Sequence, residues 1–401
     1  MSHEDVFIVG AARTPIGKYG GSFKGVHAAE LGGVAVRAAL ERAVLAPGDV
    51  DELLFGHGRQ ASSGPNPARQ VVRRAGLPDR VPAQTLNKAC ASGLQAIASG
   101  AQSILLGESA VVVAGGMESM SRMPYFIDAD VARWGHKMGD FTLVDAMYRD
   151  GFQCPLANLI MGETAEVLAR QYGITRDESD AYALESQQRA ARAIGDHRFD
   201  DELTPVTVAE GRGKTRTVTA DEHPRPDTTL ESLRKLPLAF PTVEGQPGII
   251  TPGTASGITD GAAAVVLASA SQVKARELRP LARVVGWASV GVDPRIMGIG
   301  PVPAVRRLVD RTGVALDAFG LVELNEAFAP QVLACLRDLA IDPARVNVNG
   351  GAIALGHPIG CTGTRIVVTL IYEMRRRGVK LGLATLCVSG GMGMALALEA
   401  Q

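Results

Sequence analysis

Cys90 is the first residue of the chain whose type and position could support chemistry. It lies in the segment NKACASGLQAIASGAQSI, residues 87–104, directly before an apolar helical pattern. The N–H groups at a helix N-terminus lower the pKa of a thiol, so Cys90 could be a nucleophile. Free cysteine is also among the residues most often buried, so a structural role is the alternative. The choice depends on which other reactive residues lie near Cys90.

Three further residues of suitable chemistry stand at the ends of predicted strands or in glycine-rich loops. Asn325 closes the strand pattern FGLVELN, and Cys387 ends the pattern LGLATLCV before the turn SGGMG. His357 lies among small residues in NGGAIALGHPIGCTG, and the proline after it favours an extended loop conformation. Open α/β sheets bind ligands at the carboxyl ends of their strands, so these residues are expected to lie close together. A histidine there could accept the proton of a nucleophilic cysteine.

The elements that must position these residues alternate along the chain. Short apolar runs such as DVFIVG and AVVVAGG are separated by longer helical patterns. Strands that are apolar on both faces and separated by helices are typical of a mainly parallel, helix-covered sheet. The predicted fold class is therefore α/β.

This alternation recurs in the second part of the chain. Three segment pairs match in the same order at an offset of about 270 residues: 35–56 with 304–325, the segment after Cys90 with that after Cys361, and 111–117 with 385–392. The repeat predicts two related α/β halves. The N-terminal half comprises residues 1–118 and 251–270, and the C-terminal half comprises residues 271–401. Cys90 and Cys387 are then expected near corresponding edges of two sheets.

Residues 119–250, between the halves, differ in character from both. They contain DEHPRPDTTLESL and FPTVEGQPG, which are typical of surface loops. A helix is predicted to begin at Thr175, because Glu178 three residues later completes a capping box. Long insertions often cover binding sites, so this segment is predicted to form a loop domain over a ligand.

The composition excludes several classes of partner. The 401 residues carry a formal net charge of -1, which offers no general attraction to nucleic acid or to an anionic membrane. The N-terminus lacks the features of a signal peptide, and no apolar run is long enough to span a bilayer. The five cysteines are odd in number and lack CxxC spacing, which disfavours disulfides and favours a reducing, cytoplasmic location.

The sequence contains no familiar metal or cofactor motif. Zinc spacing such as HExxH is absent, the P-loop is absent, and GIGPVP at 298–303 fails the dinucleotide fingerprint. We therefore expect no metal, no tightly bound cofactor, no nucleic-acid partner and no membrane partner.

Taken together, the four reactive segments resemble the signature blocks of the thiolase family. These segments are NKACASGLQA, NEAFA, GGAIALGHPIGCTGTR and LCVSGGMGMAL, and the resemblance extends from ARTPIGKYGG near the N-terminus over nearly the whole chain. It implies a thiolase-like fold, with duplicated α/β halves in a five-layered α-β-α-β-α core and an inserted loop domain. It also implies a homodimer or homotetramer, in which PYFIDADVARWGHKMGDF could form contacts or cover the pocket.

The resemblance also implies a role for each reactive residue. Cys90 would attack a 3-oxoacyl-CoA and hold the acyl group as a thioester, and His357 would activate Cys90. Cys387 would exchange a proton with the acetyl-CoA carbanion. Asn325 would hold a water that forms, with His357, an oxyanion hole for the enolate. The N–H groups of Cys90 and Ser389 would form a second oxyanion hole, and such chemistry needs no metal.

Coenzyme A is then a substrate, and the resemblance assigns residues to its parts. Arg225 and Ser232 match positions near the adenine nucleotide. The positions that match the pantetheine wall are Ala239, Phe240, Ser256 and Gly257. Met161 and Phe328 match positions at the border of the acyl pocket.

Two positions depart from the family pattern. Ile160 replaces the histidine that acetoacetyl-specialised members carry before the methionine of HMGxTAE, which removes a polar contact to the substrate. Ser389 replaces the glycine of many relatives, but its backbone N–H is retained. The implied activity is thiolysis of 3-oxoacyl-CoA, as in fatty-acid β-oxidation, and the reverse Claisen condensation. The acyl chain length and the direction stay open.

Two other functions are alternatives. A decarboxylating ketoacyl synthase shares the fold but lacks the second cysteine, which LCVSGG supplies here. A non-catalytic acyl-CoA or lipid carrier on a thiolase fold would have lost at least one reactive residue, and all four are present.

Overall fold

The strands follow the apolar runs of the sequence. The computed structural model describes residues 4–211 and 213–401. The strands are β1 (Val6–Arg13), β2 (Gly17–Lys18), β3 (Glu52–His57), β4 (Ala83–Leu86), β5 (Val111–Ser119), β6 (Tyr125–Phe126), β7 (Val144–Asp145), β8 (Gln153–Cys154), β9 (Leu159–Ile160), β10 (Val206–Gly211), β11 (Lys214–Val218), β12 (Thr242–Val243), β13 (Gln246–Pro247), β14 (Thr259–Ser269), β15 (Ala282–Gly291), β16 (Leu321–Leu324), β17 (Leu381–Val388) and β18 (Met392–Ala400).

The helices fill the intervals between the strands. They are α1 (Ala28–Ala43), α2 (Pro67–Ala75), α3 (Ser92–Leu105), α4 (Ala129–Ala132), α5 (Met161–Gln171), α6 (Arg176–Gly195), α7 (Leu230–Arg234), α8 (Ala270–Ala275), α9 (Pro301–Thr312), α10 (Ala329–Leu339), α11 (Ala352–Leu355) and α12 (Ile359–Arg377). The predicted capping box at the start of α6 is confirmed, because the Glu178 carboxylate accepts the N–H of Thr175 at 2.8 Å and the Thr175 hydroxyl accepts that of Glu178 at 3.2 Å. No helix in the described part of the chain is both long and apolar enough to cross a membrane.

One large sheet is built from two halves of similar topology. The strand order is β1-β14-β5-β3-β4 in the N-terminal half and β15-β18-β17-β16 in the C-terminal half, and β2 adds to β14. The halves join where Phe7 pairs with Arg283 and Ile8 with Ala282. The matched sequence segments fall on equivalent elements, since α1 and β3 correspond to α9 and β16, α3 to α12, and β5 to β17. The predicted duplication is therefore confirmed.

The expectation of a mainly parallel sheet is wrong. β3 is parallel to β4 and β5, and β16 is parallel to β17. The other neighbours in the sheet, including β5 with β14 and β17 with β18, are antiparallel. Each half ends on a strand, β14 or β18, that runs back antiparallel beside β5 or β17. An apolar run that is buried on both faces does not by itself reveal this direction.

Two helices occupy the space between the two sheet halves. α3 and α12 share one hydrophobic cluster with both halves, represented by Val112 and Ala263 on one side and Leu386 and Leu396 on the other. Helices α1 and α2 cover the outer face of the N-terminal half, and α9 and α10 cover that of the C-terminal half. This is the predicted five-layered α-β-α-β-α core.

A buried ion network ties the insertion to the sheet. The Arg13 guanidinium, at the end of β1, donates to Glu202 at 2.5 Å and to both carboxylate oxygens of Asp221 at 2.7 and 2.9 Å. All three side chains are almost fully buried. Removing one member of such a network leaves the remaining charges unpaired away from water.

Replacing Arg13 by methionine is expected to lower the free energy of unfolding by about 3–5 kcal/mol, because two buried carboxylates lose their cation. Urea denaturation measures the change. The matched control is Arg73→Met, whose partner Asp79 lies at 2.8 Å on the exposed surface, and about 1 kcal/mol or less is expected there. Equal losses in the two variants would show that the buried network does not stabilise the fold.

Candidate active site

The structure brings Cys90, His357 and Cys387 to one cavity of about 260 Å³. Cys90 follows β4 and precedes α3, His357 lies between α11 and α12, and Cys387 is in β17. The cavity therefore joins residues from both halves of the sheet. Its wall is otherwise largely apolar and includes Phe152 and Ile160.

Cys90 is held just before α3 by a strained backbone. The preceding Ala89 has a φ of 45°, in the left-handed region that residues with a side chain seldom adopt. The N–H groups of Ser389 and of Cys90 itself are directed at the sulfur and favour the thiolate. Burial nevertheless raises the pKa of Cys90 above its ordinary value, although the charge of Arg59 opposes this. The expectation that the helix N-terminus lowers this pKa is therefore wrong in its net effect, because loss of solvation outweighs it.

His357 is oriented as a neutral base. Its Nδ1 lies 2.7 Å from the Thr362 hydroxyl, and that hydroxyl donates its proton to the Pro358 carbonyl at 3.0 Å. The hydroxyl must then accept from Nδ1–H, so Nε2 carries the free lone pair. Nε2 is buried and has no partner among the described residues. Burial, aided by the charges of Arg365 and Arg59, lowers the pKa of His357 to about 3, which keeps the ring neutral.

The backbone before His357 needs a glycine. Gly356 has a φ of 103°, and a Cβ there would lie 2.4 Å from the Thr259 side chain. The His357 N–H then donates to the Gly257 carbonyl at 3.1 Å. These two features fix the direction in which the imidazole enters the cavity.

Cys387 is suited to hold a proton. Its side chain is fully buried in β17, just before the turn that brings the Ser389 N–H to Cys90. Burial, together with the nearby Cys90, raises the pKa of Cys387 well above its ordinary value. A thiol that stays protonated next to a nucleophile can act as a general acid.

Asn325 does not line this cavity. Its N–H donates to the Thr385 carbonyl at 3.0 Å, which fixes the end of β16. Both amide atoms of its side chain are buried without a partner in the described part of the chain. Buried polar groups of this kind are commonly satisfied by an ordered water.

Glu326, next to Asn325, holds this end of β16 in place. Its carboxylate accepts hydrogen bonds of 2.7–3.1 Å from the Tyr182 and Ser186 hydroxyls, the Asn347 amide and the Ile353 N–H. The buried Glu326 side chain therefore fixes the backbone next to Asn325 relative to α6 and α11.

Glu118 makes buried contacts near the cavity that were not predicted from the sequence. From β5 it accepts the N–H groups of Gly58 at 3.0 Å, Arg59 at 3.1 Å and Gly360 at 2.8 Å. His57 Nε2 lies 3.0 Å from the same carboxylate. Burial opposes ionisation, but these partners together lower the pKa of Glu118 below its usual value. The only available signal was a glutamate at the end of an otherwise apolar strand, GGMES.

The residues assigned to coenzyme A fall into two groups and one exception. Arg225 and Ser232 line a second cavity of about 480 Å³. The cavity that contains Cys90, hereafter the reactive cavity, is lined by five of the assigned residues: Ala239, Phe240, Ser256, Met161 and Phe328. Gly257 lines neither cavity and instead accepts the N–H of His357. Within the described ranges, no cluster of His, Cys, Asp or Glu has the arrangement of a metal site.

Comparison with known proteins identifies relatives over the full length of the chain. Residues 6–271 match the model for "Thiolase, N-terminal domain" and residues 278–400 that for "Thiolase, C-terminal domain". The acetyl-CoA acetyltransferase of Pseudomonas aeruginosa is 52% identical over 98% of this chain and 99% of its own.

Two solved structures are also similar. The acetyl-CoA acetyltransferase of Bacillus anthracis superposes with a TM-score of 0.96 at 45% identity and covers 100% of this chain and 99% of its own. Human mitochondrial 3-ketoacyl-CoA thiolase in complex with CoA superposes with a TM-score of 0.94 at 44% identity and covers 99% of this chain and 98% of its own.

The pH dependence of Cys90 alkylation follows from these pKa shifts. The pKa of Cys90 is raised and that of His357 is lowered, so the resting pair is thiol and neutral imidazole. Alkylation by iodoacetamide should therefore increase about tenfold per pH unit from pH 7 and keep rising through pH 9. Mass spectrometry of the Cys90 peptide measures the rate. A plateau between pH 6 and 8 would instead indicate a preformed thiolate–imidazolium pair.

Replacing Glu118 by glutamine should lower kcat about 10- to 100-fold, because the new amide hydrogens face backbone N–H groups and displace the segment that carries His357. Steady-state kinetics measure the loss, with Glu108→Gln on the exposed surface as the matched control. Unchanged turnover in Glu118→Gln would mean that the loop is positioned without this carboxylate.

Proposed function

This chain belongs to the thiolase family, and we propose that it cleaves 3-oxoacyl-CoA with CoA through an acyl group held on Cys90, and catalyses the reverse condensation. As a thiolase it is an acyltransferase. The observation that carries the assignment of residues is the convergence of Cys90, His357 and Cys387 on one cavity. Membership in this family sets aside the ketoacyl synthase alternative.

In the first step, Cys90 attacks the 3-oxo carbon while His357 Nε2 takes the thiol proton. The tautomer fixed by Thr362 leaves this nitrogen free to accept it. The oxyanion that forms on the substrate would lie near the N–H groups of Cys90 and Ser389, which already face the sulfur. Donors held in place before the reaction stabilise such a charge by about 3 kcal/mol each.

Collapse of this intermediate breaks the bond between carbons 2 and 3 and leaves the electron pair on carbon 2. Cys387 donates its proton there, so acetyl-CoA departs and the acyl group stays on Cys90 as a thioester. The enolate oxygen of the departing acetyl-CoA would be stabilised by protonated His357 and by a water on the Asn325 amide, whose two polar atoms are otherwise unpaired.

The second substrate completes the cycle. The Cys387 thiolate takes the proton of CoA, and the CoA sulfur attacks the thioester on Cys90. The shortened acyl-CoA leaves, and the Cys90 thiolate regains its proton from His357. Protons and charges balance over the cycle, and both cysteines return to the neutral state that burial favours.

We also propose that the larger cavity holds the nucleotide end of CoA. The two cavities are lined by successive parts of the same segments, since Leu236 and Gly253 line the larger and Ala239 and Ala255 the smaller. One bound CoA thioester could therefore extend from the cavity lined by Arg225 to the cavity that contains Cys90. Residues 119–250 would act as the loop domain that covers this path.

The cellular setting and assembly are further proposals. All five cysteines are free and buried, which suits the reducing cytoplasm. Large apolar side chains are exposed in the inserted segment, such as Trp134 at 77% and Met138 at 90%. Exposed apolar patches of this kind often mark interfaces, which supports a homodimer or homotetramer. The Claisen equilibrium favours cleavage, as in fatty-acid β-oxidation, so net condensation would depend on removal of its product.

The test is the rate of thiolysis with CoA across 3-oxoacyl-CoA substrates of four to sixteen carbons. Wild-type protein and Cys154→Ala, a buried cysteine outside the cavity, should cleave at similar rates. The thiolysis rate of Cys90→Ala should fall at least about 10³-fold, because alanine cannot carry the acyl group as a thioester. Activity limited to four carbons would make this an acetoacetyl-CoA enzyme despite Ile160. Absence of Cys90-dependent cleavage at any length would overturn the proposal and favour the carrier alternative.

A further inference from the structure

Arg59 is a buried cation in the wall of the reactive cavity. It follows β3, its side chain is 7% exposed, and it lines the cavity together with Cys90 and His357. Among the described residues that line this cavity, Arg59 alone carries a formally charged side chain. The mechanism derived above assigns it no bond to the reacting atoms.

The guanidinium of Arg59 is poorly satisfied by the protein. Its Nη2 donates to the Gly151 carbonyl at 2.5 Å, and its Nη1 lies 3.5 Å from the Gly58 carbonyl. Its Nε is buried and has no partner within the described part of the chain. Both bonds are to neutral carbonyls, and the guanidinium has no ion pair with any described carboxylate. A guanidinium has five N–H donors, so most of its capacity remains free.

The nearby carboxylate is already occupied. The charge of Arg59 contributes to lowering the pKa of Glu118, but both carboxylate oxygens of Glu118 already accept backbone N–H groups. One of these N–H groups is that of Arg59 itself. A buried cation without an anion in contact is unfavourable, so the cavity is electrostatically complementary to a negative group.

The position of Arg59 indicates which part of a substrate would meet it. Its partner Gly151 belongs to the short π-helix Met147–Phe152, and a Cβ on Gly151 would lie 3.2 Å from Arg59 Nε. The residues assigned to pantetheine, Ala239, Phe240 and Ser256, come from other segments. Arg59 and Gly151 thus form a part of the cavity wall that the segments assigned to pantetheine do not supply, and this part is available to the acyl group.

We propose that Arg59 is a specificity-determining residue that binds a carboxylate at the end of the acyl chain. The substrate class is then short 3-oxoacyl-CoA thioesters that carry a terminal carboxylate. This inference rests on the proposed function, because it requires the acyl group to enter this cavity. Arginine presents paired N–H donors that match a carboxylate, and the cavity of about 260 Å³ suits a short chain.

The experiment compares two substrates of equal length, 3-oxohexanoyl-CoA and 3-oxohexanedioyl-CoA, which differ only in the terminal carboxylate. The readout is the ratio of their kcat/KM values in thiolysis. Both substrates acylate Cys90, so any effect of Arg59 on that thiol cancels in the ratio. Wild-type protein should favour the dicarboxylic substrate by at least about 10-fold, the strength of a charged hydrogen bond.

Arg59→Met should reduce this ratio about 10- to 100-fold, and Arg59→Lys should retain part of it, because a lysine keeps the charge but not the paired donors. The matched control is Arg149→Met, an exposed arginine on the same π-helix, which should leave the ratio unchanged. A ratio unaffected by Arg59→Met, or a wild-type preference for 3-oxohexanoyl-CoA, would overturn the inference.

A binding measurement keeps Arg59 intact in case its variants do not fold. Calorimetry on Cys90→Ala should give a Kd at least about 10-fold lower for 3-oxohexanedioyl-CoA than for 3-oxohexanoyl-CoA, and equal affinities would overturn the inference. If wild-type protein cleaves neither substrate nor any other 3-oxoacyl-CoA, the proposed function itself fails. Cleavage of 3-oxohexanoyl-CoA with no gain from the carboxylate is a failure of the Arg59 inference alone.

Discussion

The geometry of the active site depends on the buried carboxylate of Glu118. It lies at the end of β5 and binds the segment after β3 on one side and the first turn of α12 on the other. His357 stands just before that turn, and Arg59 is in the segment after β3. One charge, satisfied by several donors, thus aligns parts of the chain that are remote in sequence. Without it, these backbone N–H groups would be buried and unpaired, which proteins rarely tolerate.

The cavity keeps its reactive groups uncharged until substrate arrives. Burial raises the pKa of Cys90 and Cys387 and lowers that of His357, so all three rest in neutral forms. In the proposed mechanism charge develops only during the reaction, where backbone N–H groups and the unpaired Asn325 amide are already in place. Such preorganisation is effective because the donors need not reorient when the charge appears. The surrounding apolar wall strengthens each of these interactions.

Much of this arrangement could be predicted from the sequence. The internal repeat revealed the duplicated core, and strand-end positions identified Cys90, His357 and Cys387 as neighbours. Strand direction could not be predicted, because burial on both faces does not depend on it. The net pKa of Cys90 could not be predicted either, since loss of solvation depends on distant segments that fold over it. The contacts of Glu118 with Gly360 and of Thr362 with His357 could not be predicted either, because they depend on the three-dimensional arrangement of the chain.

The shared central layer of α3 and α12 has a consequence for the origin of the chain. Each half contributes one of these helices and buries it against the other half. A single half in isolation would leave an apolar helix face in water, so it could persist only by pairing with a second copy. Covalent fusion of two such copies makes that association intramolecular and raises its effective concentration. Two fused copies need not stay identical, and in the proposed mechanism the N-terminal half supplies the nucleophile Cys90 while the C-terminal half supplies the base His357.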